Sequence, residues 1–239
     1  MGVVLVTGAS SGIGLATARI LRERGRDVVG ISRRGGEGSA TADLSTEDGC
    51  ALAIERARER GPIEAVIHSA GVGSAEEGPI ATLEPRVWRA SMALNLDAAF
   101  HLIRLAWPDL ERSGSGRIVL VASTAATHGA PGYSAYSAAK AGLLGMMLSV
   151  AQDGAPVGIT CNAVLPGWVR SKMSEQSAQR DAQSAGLTVD EVWAARAASY
   201  AAGRVITAEE VGEVIAFLAS PESSGVSGEG IRVALGDAW

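Results

Sequence analysis

Tyr136 stands four residues before Lys140 in the run Tyr136-Ser137-Ala138-Ala139-Lys140. The surrounding segment, 134–153, is rich in Ala, Leu and Met, lacks proline, and reads as a helix. A spacing of four stacks both side chains on one helical face, a turn apart. A free phenol titrates near ~10, too high for easy proton transfer at neutral pH. An ammonium one turn away favours the phenolate, which makes the pair a candidate acid/base device. Taken alone, the same pair also describes a solvated helix face, so its meaning depends on its surroundings.

A second chemical signal lies near the N-terminus, where Val3-Val4-Leu5-Val6-Thr7 runs into Gly8-Ala9-Ser10-Ser11-Gly12-Ile13-Gly14 and then a helix. Glycines let backbone approach a phosphate, and a helix N-terminus offers unpaired N–H groups at its positive end. The spacing Gly-x-x-x-Gly-x-Gly is not the usual Gly-x-Gly-x-x-Gly dinucleotide fingerprint. It also contains Gly-x-Ser-x-Gly, which would make Ser10 a hydrolase nucleophile, with His68, His101 and His128 downstream. Against that reading, the elbow would follow the first strand, leaving no earlier strand–helix loop to complete an oxyanion hole.

The elements that must position these groups alternate in type. Val/Ile-rich runs at 3–7, 27–32, 39–43, 64–69, 116–122, 158–164 and 231–235 read as strands. Helical stretches fall at 12–25, 46–60, 84–112, 134–153 and 208–219. The alternation predicts an α/β fold, a doubly wound parallel sheet of about seven strands with helices on both faces. Ser45 with Asp48, Thr188 with Glu191, and Thr207 with Glu210 have capping-box spacing and mark helix starts. Residues 1–239 read as one domain, with no linker or repeat. Only 171–204 breaks the rhythm: it is polar, places Trp193 and Tyr200 on a short capped helix, and has the length of a substrate lid.

Composition narrows the class. Hydrophobic residues make up 47% and charged residues 20%, ordinary for a globular protein, and a net charge of −5 without a basic cluster argues against nucleic acid. Cys50 and Cys161 are too few for a disulfide framework, which suits a reducing compartment. No apolar run is long enough to cross a bilayer, so the expectation is a cytoplasmic protein without a membrane partner. No second ligand-type residue stands at metal spacing from His128, and no metal is expected.

With Thr7-Gly8-x-x-x-Gly12-Ile13-Gly14 early and Tyr136-x-x-x-Lys140 past the middle, the chain resembles the short-chain dehydrogenase/reductase family. Further motifs follow in order: Asp43-Leu44, Ala70-Gly71, Asn95, Ser123 thirteen positions before the tyrosine, and Pro166-Gly167. The resemblance covers nearly the whole chain. It implies that Tyr136 is the general acid or base and that Lys140 lowers its pKa and holds the nicotinamide ribose. It further implies that Ser123 hydrogen-bonds the substrate oxygen and that Asn95 holds a water leading to Lys140. For the cofactor it implies contacts from Gly8, Ser10, Ser11, Ile13 and Gly14, from Asp43, Leu44, Ala70 and Gly71, and from Tyr136, Lys140, Gly167, Val169 and Ser171. The substrate would meet Ser123, Tyr133, Tyr136 and Trp168. The chain departs from the family's Asn-Asn-Ala-Gly, having His68-Ser69-Ala70-Gly71, and ends without the common Asp-Gly-Gly at 236–239.

Family members using NAD place an acid where this chain has Ser32. Ser32 followed by Arg33 and Arg34 resembles the NADP pattern, since guanidinium grips a 2′-phosphate through charged hydrogen bonds. NADP(H) is therefore the expected cofactor, with NAD(H) as the alternative. Candidate pocket walls at 72–80, 125–133, 165–168 and 171–204 look mostly apolar, suiting an uncharged ketone or aldehyde. The helices at 84–112 and 134–153 are apolar over more than one face, and family members bury both against a second subunit. A homo-oligomer is expected, tetramer before dimer. The expected activity is carbonyl reduction. NAD-linked alcohol oxidation and 3-oxoacyl carrier-protein reduction are alternatives within the family. A non-catalytic dinucleotide binder and the Ser10 hydrolase are the rivals outside it.

Overall fold

The computed structural model describes residues 2–36, 38–73 and 75–236; Glu37, Ser74 within the 72–80 wall, and the 237–239 end lie outside the described residues. Seven strands, β1 (Val3–Thr7), β2 (Asp27–Ser32), β3 (Ser39–Thr41), β4 (Ile63–His68), β5 (Arg117–Val121), β6 (Thr160–Pro166) and β7 (Gly230–Val233), form one sheet in the order β3-β2-β1-β4-β5-β6-β7. Every pairing is parallel. The strand order reverses between β1 and β4, which opens a crevice at their carboxyl ends.

The helices are α1 (Gly12–Glu23), α2 (Glu47–Arg58), α3 (Pro85–Met92), α4 (Ala98–Ser113), α5 (Ser134–Gly154), α6 (Lys172–Ala185), α7 (Val189–Ala198) and α8 (Ala208–Leu218). β1 is buried along its whole length, and its side chains alternate between two cores. Val3 and Leu5 pack with Ile54, Leu102 and Leu143 on one face, while Val4 and Val6 pack with Leu21, Val211 and Ile215 on the other. A strand covered on both sides must be apolar throughout, which is why these runs read as continuous Val and Ile.

The structure moves several predicted boundaries. The single helix expected over 84–112 is interrupted by a π-turn, Ala93–Asp97, between α3 and α4. β6 begins two residues late because Gly158 turns the chain at φ 77° before the strand starts. The cap of α2 is Thr46, not Ser45: Thr46 Oγ1 accepts from the Gly49 amide, while Ser45 bonds Asp43 through its own amide and hydroxyl. Thr188 and Thr207 do cap α7 and α8 in complete capping boxes. Among the described residues, no helix is long and apolar enough to cross a membrane.

Candidate active site

The carboxyl ends of β1, β4, β5 and β6 surround a cavity of about 510 Å³. At its base β1 turns through Gly8, at φ 69°. A Cβ on Gly8 would stand 2.9 Å from the Ser69 carbonyl oxygen, and one on Gly14 would overlap the Gly8 carbonyl. Glycine is therefore required for this strand–helix contact. Ser11 caps α1 without a side-chain bond, and the first turn carries no acid. The positive end of α1 thus faces the cavity beside Ser11, Gly12, Ile13 and Gly14, an arrangement that fits a diphosphate.

Thr7 ties β1 to the end of β4. Its hydroxyl accepts from the Ser69 and Ala70 amides, both at 3.0 Å, so its own proton goes to His68 Nδ1 at 3.2 Å. That leaves the ring proton on Nε2. His68 is fully buried, and desolvation, reinforced by Lys140, drives its pKa down to about 3. It is a neutral strut under the cavity floor.

Above it, Asn95 sits in the π-turn and donates to the Val72 carbonyl at 3.1 Å and to Ser91 Oγ at 3.2 Å. Its buried Oδ1 has no partner among the described residues. A Cβ on Gly71 would lie 2.5 Å from that oxygen and 3.6 Å from Lys140 Nζ, so the three groups crowd one point.

Tyr136 and Lys140 project from α5 as the spacing predicts. Lys140 Nζ donates to the Val121 carbonyl at 2.7 Å, and burial pushes it down to about 8. Burial pushes the Tyr136 phenol up to about 12, while its interaction with Ser123 acts the other way. Burial is the largest influence on the Tyr136 phenol here, and the Lys140 ammonium is engaged with the Val121 carbonyl. Tyr136 nevertheless keeps part of its surface open to the cavity. Ser123 caps the turn Thr124–Ala126, accepting from the Ala125 amide at 3.1 Å, and faces the same space.

From the end of β6, Gly167, Trp168, Val169 and Ser171 line the cavity. A side chain on Gly167 would strike the Tyr200 hydroxyl, which accepts from the Trp168 amide at 2.6 Å. Ser171 starts α6 in a capping box with Ser174, so its hydroxyl is already shared. α6 and α7 fold as a helical hairpin locked by Arg196, which lies over the rings of Trp168 at 3.6 Å and Trp193 at 4.7 Å. It also donates to Asp181 at 2.8 Å and to Ser177 at 3.0 Å.

Two expectations about 171–204 change. Trp193 packs into the hairpin's own small core and donates to Glu175, away from the cavity. Tyr200 follows α7 instead of lying on it. The walls are also less apolar than the sequence implied, because α6 brings Arg180 and Asp181 to the lining and the loop before α5 brings His128. One turn of α6 from Ser177 suffices to place them there, but only the hairpin's packing reveals which face turns inward.

A second cavity of about 410 Å³ adjoins the first and is lined by Ser10, Ser32, Arg33, Arg34 and Leu44. Ser32 donates to the Gly35 carbonyl at 3.0 Å, and neither arginine makes an ion pair among the described residues. Asp43 lines neither cavity; Ser45 holds its carboxylate below the usual range. Asn95 also lies behind the lining. Ser10 faces the second cavity and His128 the first, His101 lines neither, and His68 is bonded to Thr7, so among the described residues no histidine shares a cavity with Ser10.

Glycine turn, switch-point crevice and a Ser–Tyr–Lys set on one cavity wall define a dinucleotide-type oxidoreductase architecture. The enoyl-(acyl carrier protein) reductase family model matches residues 8–236. The chain belongs to the short-chain dehydrogenase/reductase family. It is 32% identical to the 3-oxoacyl-acyl-carrier-protein reductase FabG of Escherichia coli, over 97% of this chain and 95% of that one. It is 36% identical to cis-4-hydroxycyclohexanecarboxylate dehydrogenase of Sinomonas cyclohexanicum, over 95% and 92%. Among solved structures, a variant of actinorhodin polyketide ketoreductase with NADPH superposes with a TM-score of 0.92, at 29% identity over 99% and 97% of the two chains.

Proposed function

We propose that the chain is an NADP(H)-dependent enzyme that interconverts a ketone or aldehyde and its alcohol, working chiefly as a carbonyl reductase. The observation that carries this reading is the convergence of Ser123, Tyr136 and Lys140 on one cavity. When bound, the dinucleotide supplies the hydride. The α1 N-terminus would hold its diphosphate, Arg33 and Arg34 its 2′-phosphate, and Lys140 its nicotinamide ribose.

Each protein group then has a defined task. Ser123 donates a hydrogen bond to the substrate oxygen and stabilises charge as it develops. Tyr136 passes its proton to that oxygen, and Lys140 favours the phenolate that remains. Asn95, crowded against Gly71 and Lys140, would hold the water that returns the proton. The 171–204 hairpin would act as lid, and a cavity lined by its Arg180 and Asp181 and by His128 from the loop before α5 suits a polar carbonyl compound better than a bare hydrocarbon ketone.

The names of the relatives favour a 3-oxoacyl thioester or a cyclic hydroxy acid as substrate classes to screen first. We read the chain as a cytoplasmic homo-oligomer, tetramer before dimer. Phe100 on α4, 50% exposed, and Leu148 on α5, 55% exposed, would sit in the shared face. Side-by-side calorimetry with NADPH and NADH tests the reading. Tighter NADPH binding is expected; preference for NADH would turn the proposal toward alcohol oxidation, and binding of neither would end it.

A further inference from the structure

The helix that carries Tyr136 lacks a cap of its own. Tyr133 occupies the N-cap position of α5 and makes no side-chain capping bond, and the first turn contains no acid. The missing acceptor comes from far away in sequence. Glu77, in the loop after β4, accepts from the Ala135 amide through Oε2 and from the Tyr136 amide through Oε1, both at 2.9 Å. The two oxygens thus grip two successive amides, one of them belonging to the tyrosine itself. Glu77 is only 7% exposed, so this carboxylate is buried where the α5 dipole is positive.

Three elements meet at this group. Glu77 comes from the β4 loop, Tyr133 and Tyr136 from α5, and Arg180 from α6 of the lid hairpin. Arg180 lies 5.1 Å from the centroid of the Tyr133 ring and acts electrostatically on Glu77. A displacement of the loop or the lid therefore bears on the backbone that sets the Tyr136 phenol.

We propose that Glu77 is a positioning residue for the reaction, fixing the first turn of α5 and with it the place of the Tyr136 hydroxyl on the cavity wall. This rests on Tyr136 being the proton donor, as proposed above. Its charge matters as well as its bonds: a carboxylate beside Tyr136 opposes phenolate formation and raises the Tyr136 pKa. Burial raises the Glu77 pKa, the two amides and Arg180 opposing it.

The test compares Glu77→Gln, Glu77→Asp and Glu77→Ala in the full chain. The Tyr136 phenolate is followed by ultraviolet difference titration against Tyr136→Phe, with NADPH affinity and reduction of ethyl acetoacetate measured in parallel. The inference expects NADPH affinity within about twofold of the parent. It expects the phenolate to form at lower pH in Glu77→Gln and Glu77→Ala than in the parent, and at the parent's pH in Glu77→Asp. Turnover falls most in Glu77→Ala, roughly 10- to 100-fold, with Glu77→Gln partly restoring it. A Tyr136 titration in Glu77→Gln that superposes on the parent overturns the inference, as does parent-like turnover in Glu77→Ala. The titration reads Glu77 even in a protein that reduces no ketone, so failure of the reductase reading stays separate.

Discussion

Lys140 Nζ lies 5.6 Å from the centre of the Tyr136 ring, the two side chains rising from successive turns of α5. The ammonium is turned to the Val121 carbonyl at the end of β5. Lys140 therefore couples α5 to the sheet while sharing a cavity wall with Tyr136. Replacing it should remove an anchor and a charge together. Lys140→Met is expected to lower turnover by about 10²-fold or more, the scale of a lost acid–base partner, measured as kcat with saturating NADPH.

Gly71 is one of the tight points of the site. A methyl there would press on Asn95 Oδ1, which the π-turn holds, and reach Lys140. Gly71→Ala should destabilise the fold by roughly 1–3 kcal/mol, the usual cost of overpacking, and weaken cofactor binding. Urea unfolding with and without NADPH reads both effects.

The second cavity gives Arg33 a clear expectation. Arg33→Ala should weaken NADPH by roughly 1.5–3 kcal/mol, about one to two decades in Kd, while leaving NADH nearly unchanged. Equal losses for both dinucleotides in calorimetry would remove Arg33 from the 2′-phosphate subsite.

His68 makes the fold sensitive to acid. Its pKa falls from an ordinary 6.5 to about 3 in the native state, so between these values the unfolded chain binds the extra proton. Stability from this group is complete above pH 6.5 and drains away as pH drops toward 3. Carboxylates add their own acid dependence, so the comparison is with His68→Asn. The difference in unfolding free energy between parent and variant should shift against the parent as pH falls through this window, by urea titration at several pH values. A constant difference would show that His68 does not titrate on unfolding.

Much of this was legible in the chain because parallel strands buried on both faces must be apolar throughout, and because the Tyr136–Lys140 spacing fixes a shared helical face. The capping boxes at Thr188 and Thr207 were equally readable, being local by nature. What depended on three dimensions was not. The π-turn at Asn95 continues an unbroken helical pattern, and nothing in its composition announces the extra residue. Trp193 reads as a pocket wall until the hairpin folds it inward. Glu77 lies 58 residues from the amide of Ala135, and a cap supplied across such a distance leaves no periodicity to find.

The most direct test of the account is Tyr136→Phe, which removes one oxygen from the cavity wall and leaves the ring that packs there. The account predicts that NADPH affinity stays within about twofold while turnover of any ketone the parent reduces falls by roughly 10²–10⁴-fold, the contribution of a positioned proton donor. Turnover in Tyr136→Phe close to the parent's, with NADPH bound normally, would contradict it.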